Sequence, residues 1–166
     1  MKINIKLKRI LPIIPICILF CLCVALNKFV YIKILFLNPC RLQYDEYKTE
    51  FNEFSEYLID DYRDNKYDFN YQIDTDGNRF YRVSYGNMEK TYITFPEEQQ
   101  YNAEQIFYKS SQDFKIYYIN VSKNSVTYIT KEGYLLVYSL HGKPTHSDDR
   151  RLIKIERNWY LEEPKY

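Results

Sequence analysis

Apolar residues run without interruption from Ile10 to Leu26, whereas beyond Leu42 they recur at steps of three and four, and later of two. The unbroken stretch holds 17 residues with no charge. As a helix it covers about 25 Å, and with Phe29, Val30, Tyr31 and Ile32 about 34 Å, against a hydrocarbon core of about 30 Å. Residues 10–37 are therefore predicted to form a transmembrane anchor and juxtamembrane segment behind a basic arm over residues 1–9. Pro12 and Pro15 fall in the first turns, where a missing amide donor costs least, and Lys28 is placed to snorkel to the interface.

A cleaved secretory signal is the competing reading, because a basic start and an apolar stretch serve both, and Cys23-Val24-Ala25 offers small residues for cleavage. Against it, Phe29 to Leu37 continues the apolar character past the possible cut. Lys2, Lys6, Lys8 and Arg9 precede the span, and Lys28, Lys33 and Arg41 follow it, so the positive-inside bias is slight. The expectation is a single-pass signal-anchor in the cell membrane, N-terminus cytoplasmic and C-terminal domain extracytoplasmic; the reverse orientation stays open.

In the remaining chain, Tyr47, Phe51, Phe54, Leu58 and Tyr62 define one apolar stripe on a helix predicted over Leu42 to Asp64. Glu46, Glu50, Glu53, Asp60 and Asp64 give it an acidic outer face. After Lys66 the period falls to two. Strands are predicted from Phe69 to Ile73, around Tyr81 to Tyr85 and from Thr91 to Phe95, the first two joined by a turn at Asp74 to Asn78. Pro96-Glu97-Glu98 reads as the start of a second helix reaching Lys109, with Thr94 as its cap. A second β region follows over Phe114 to Val121, Val126 to Lys131, Tyr134 to Leu140 and Leu152 to Ile155, with Trp159 and Leu161 closing the chain against the core. All four glycines fall at proposed turns. The pattern predicts one α+β domain over residues 42–166, a long amphipathic helix packed on an antiparallel sheet of about six to seven strands, with a second short helix between two β regions.

Charge narrows the partners. From Arg41 onward there are 17 Lys/Arg against 22 Asp/Glu, a net of −5, which speaks against nucleic acid. The lipid bilayer is the expected partner of residues 10–37, and another protein is possible for the domain. Cys17, Cys21 and Cys23 lie in the apolar run and Cys40 just beyond it. A disulfide framework or cysteine-ligated zinc within the domain is thereby excluded, and Cys40 is expected near the lipid interface.

Candidate chemistry is sparse. The two histidines, His141 and His146, share the loop HGKPTHSDD with Asp148 and Asp149. These four are the candidate binding residues, although their spacing matches no zinc motif. Gly142 and Pro144 equally support a plain connection between strands. Ser139 and His141 fall on one strand face but about 6.5 to 7 Å apart, beyond direct hydrogen bonding, and no nucleophile elbow surrounds the serine. Paired carboxylates on the helices read as a solvated face, and no glycine-rich phosphate loop occurs. No catalytic residue, cofactor or metal is predicted. Eighteen of the 19 tyrosines lie beyond the anchor and divide between core and a contact surface.

The expected function is a membrane-anchored, non-catalytic binding or sensing domain, recognising another protein through its acidic helix and tyrosine-bearing strands. The alternative is a surface hydrolase or metal-binding enzyme using the His141 to Asp149 loop.

Overall fold

The stripe of Phe51, Phe54, Leu58 and Tyr62 becomes the buried side of helix α2 (Lys48–Asp64), joined there by Ser55 and Ile59. The computed structural model describes residues 39–109 and 114–165. The basic arm expected over residues 1–9 and the anchor expected over 10–37 lie outside them. Among the described residues no helix is long and apolar enough to cross a membrane.

Helix α2 is preceded by α1 (Pro39–Glu46), so the helix expected from Leu42 is two helices that start earlier. The break is at Tyr47, whose φ of −114° and ψ of 33° leave the helical range. Cys40 and Tyr44 of α1 are fully buried in the core. The expectation of an interfacial cysteine is thus corrected: the helical turn that buries Tyr44 carries Cys40, four residues earlier, inward with it. Burial, with Glu132 and Glu163 adding negative potential, pushes its thiol pKa well up, so it is a poor nucleophile. Helix α3 (Glu97–Tyr108) packs beside α2. Its N-cap is Pro96 and no side chain caps it, so Thr94, two residues further back, does not play the expected role.

Among the described residues eight strands form one antiparallel sheet: β1 (Tyr71–Asp76), β2 (Arg79–Ser84), β3 (Lys90–Ile93), β4 (Ile116–Val121), β5 (Ser125–Thr130), β6 (Leu135–Ser139), β7 (Arg150–Lys154) and β8 (Trp159–Pro164), in the order β3-β2-β1-β4-β5-β6-β8-β7. The fold is α+β, as the periodicities predict, with one strand more than expected. The addition is β8, which inserts between β6 and β7 rather than only closing the end of the core. The β1–β2 hairpin turns at Gly77-Asn78, where Gly77 takes φ +63°, a conformation that costs a side-chain-bearing residue more.

Period-two alternation sorts the sheet into two faces. Toward the helices point Tyr71, Ile73, Ile119, Val126, Tyr128, Leu136, Tyr138, Trp159 and Leu161, all buried. Trp159 is the hub of this side, its ring centre 4.8 Å from that of Tyr44, 5.1 Å from Tyr138 and 5.9 Å from Phe51. The polar tips of the aromatics are satisfied inside the core. Trp159 Nε1 donates to Asn52 Oδ1 at 2.7 Å, and the Tyr128 hydroxyl and Ser55 Oγ are 2.7 Å apart. Among the tyrosines whose division the sequence leaves open, Tyr71, Tyr128 and Tyr138 are core, Tyr118 is half-buried and Tyr117 is exposed.

Candidate functional site

Strands β6 and β8 break the expected pattern of one buried and one wet face. Leu136 to Ser139 and Trp159 to Glu162 are buried at every position. The helices cover one side. On the other, the connection between β6 and β7, residues 140–149, brings Pro144, Thr145, His146 and Ser147 to a cavity shared with Ser125, Thr127, Leu135, Val137, Ser139, Arg150 and Glu162. Its volume is about 660 Å³, within the usual range of small-ligand sites.

Register explains the wall. Ser125 pairs with Ser139, Thr127 with Val137, and Leu135 with Glu162, so alternate positions of neighbouring strands meet on this face. Leu152 also pairs with Glu162, which leaves Arg150, two residues earlier on β7, diagonal to the carboxylate. The loop is held at its base: Lys165 Nζ donates to the Asp148 carbonyl at 2.6 Å, and Lys165 N to the Asp149 carbonyl at 2.9 Å.

Glu162 carries the electrostatics of the site. The residue is 4% exposed, and among the described residues no hydrogen bond or ion pair reaches its carboxylate. Burial raises its pKa, and the positive potentials of Arg150 and His146 offset part of that rise. Arg150 does not close on it. The guanidinium is instead fixed by Nη1 donating to the Gly133 carbonyl at 2.8 Å.

Of the four sequence-predicted residues, the structure brings His146 to the cavity. His141 is exposed just past the end of β6 and does not line it. Asp148 and Asp149 are exposed at the loop base, and a hydrogen bond from Ser147 holds the Asp149 carboxyl below its ordinary pKa. Among the described residues no group of three or more His, Cys, Asp or Glu side chains is placed to hold a metal ion. Ser139 lines the cavity, but the strand stops there, so it shares no strand face with His141. Glu162 and Arg150 are the residues that sequence reasoning missed. The only signal was a charged residue alternating with Trp159 and Leu161, which ordinarily marks a solvent-facing position.

A second polar cluster is self-contained. Arg82 faces the helical side, lies over the rings of Tyr67 and Tyr71 at 4.4 and 5.3 Å, and donates to the Tyr67 hydroxyl. The Tyr71 hydroxyl in turn donates to Asp61 at 3.3 Å. The half-buried guanidinium finds its partners inside the fold.

Comparison of the chain with models of protein families, with curated proteins and with solved structures yields no match.

Proposed function

We propose that the chain is a single-pass, membrane-tethered binding or sensing domain, non-catalytic, that takes a small ligand between the open face of β5, β6 and β8 and the 140–149 loop. The observation that carries this reading is Glu162, a buried carboxylate that faces a cavity without a partner. Such a group costs stability wherever it is left alone, and a ligand that pairs with it returns that cost as affinity.

The experiment is thermal melting of the full chain in detergent against a library of small polar compounds at millimolar concentration. A ligand present at about 100 times its Kd stabilises by about 2.7 kcal/mol, well within detection. At least one class of compound is expected to raise Tm for the wild type and not for Glu162→Gln. A library without effect would overturn the reading. Consumption of a bound compound would turn it toward a surface hydrolase.

The tether makes its own prediction. After lysis without detergent the chain is expected in the membrane fraction, resistant to a high-salt wash and released by detergent, because burial of about 20 apolar residues is insensitive to screening. Recovery in the aqueous fraction would remove the anchor and the proposed location at the outer side of the cell membrane.

A further inference from the structure

Resting on the binding reading above, we propose that the cavity recognises a free α-amino acid, with Glu162 receiving its ammonium group and Arg150 its carboxylate. Three observations carry the proposal. Glu162 is 4% exposed and has no hydrogen-bond or ion-pair partner among the described residues, so an acceptor without a protein partner faces the cavity. Arg150 lines the same cavity as an opposite charge, and the two do not form an ion pair with each other. The Gly133 carbonyl, in the turn between β5 and β6, accepts from Arg150 Nη1 at 2.8 Å, so the guanidinium reaches from β7 across β8 and is fixed there by the main chain rather than by Glu162. A guanidinium carries five N–H donors, so that contact leaves donors for a ligand.

The ammonium nitrogen and carboxylate oxygens of an α-amino acid are about 3 Å apart, and charge-assisted hydrogen bonds of about 2.8 Å at each end let one molecule bridge two opposite charges that line the same cavity. The charge balance selects as well. A plain amine is attracted by Glu162 and repelled by Arg150, and a plain carboxylate meets the reverse, whereas a zwitterion aligned between them gains from both. Thr127, Leu135 and Val137 supply a weakly polar floor for the ligand's side chain, and His146 on the covering loop adds a second donor.

The test is isothermal titration of the full chain in detergent with the free α-amino acids, each beside its decarboxylated amine and its deaminated acid. At least one amino acid is expected to bind about ten-fold or more tightly than either analogue. Glu162→Gln should weaken the amino acid about ten-fold or more while leaving or improving the deaminated acid. Arg150→Gln should weaken the amino acid as well, but leave or improve the decarboxylated amine. A misfolded variant cannot produce that reciprocal exchange. The proposal is overturned if an amine or acid alone binds as tightly as the zwitterion, if Glu162→Gln leaves amino-acid affinity unchanged, or if no amino acid binds at millimolar concentration. Hits from other chemical classes in the library would then leave the binding reading standing, and their absence would end both.

Discussion

Two side chains show how much depends on single polar atoms in this core. Tyr128 and Ser55 are both fully buried and their hydroxyl oxygens lie 2.7 Å apart. Ser55→Ala leaves the phenol without that partner and is expected to cost about 1 to 3 kcal/mol. The double variant with Tyr128→Phe should cost less than the sum of the single ones, measured by denaturant titration. Glu162 behaves in the other direction. Burial raises its pKa above the ordinary 4.5, so the folded state binds this proton more tightly than the unfolded chain does. Its contribution favours folding below that ordinary value and turns against folding as pH climbs through the raised one. Glu162→Gln is therefore expected to raise Tm of the unliganded protein at neutral pH. The gain should shrink as pH falls below 4.5, where wild type and variant are both uncharged at this position.

Helix α1 is seated by both apolar and polar contacts. Cys40 and Tyr44 fill the core from one side. The Tyr44 hydroxyl donates to Glu156, beyond β7, and Lys48 Nζ pairs with the other carboxylate oxygen at 2.8 Å. Those bonds, Lys48 first, hold the Glu156 carboxyl below its ordinary 4.5. Its stabilisation is present above that value and is lost as pH falls through the lowered one. Glu156→Gln should accordingly speed amide hydrogen exchange over Pro39–Glu46 more than over α2 at neutral pH, with little difference in strong acid. Element by element, the sequence was readable where a period ran long enough. The α2 stripe, the β1–β2 hairpin and the α3 start all follow from spacing and turn residues. The start of α1 at Pro39 and its separation from α2 at Tyr47 were not, because PCRLQYDE offers only Cys40, Leu42 and Tyr44 as apolar groups, and Leu42 is half exposed. Nor was the pairing of β8, since strand order depends on distant partners. The cavity followed the same rule: Glu162 alternates with core residues like any surface position, and nothing local shows that a loop folded over that face takes it out of water.

At the scale of the whole molecule, the sheet is covered unequally. Among the described residues three helices pack on one side, and a single connection covers part of the other, at the end formed by β5 to β8. The β1–β4 end of that second side keeps charged and aromatic groups in water, with Lys90 Nζ and the Tyr92 hydroxyl both donating to Asp76. Such exposed pairs add little to stability. Strand β8 passes beneath both coverings. Its odd-numbered residues Trp159 and Leu161 belong to the helical core, and its even-numbered Tyr160 and Glu162 to the opposite side. Trp159 is also the sole tryptophan of the chain. The one indole thus lies three residues along the same ribbon from the carboxylate, and a change in its emission on addition of a ligand, with no dye attached, is the outcome expected if the proposed cavity fills.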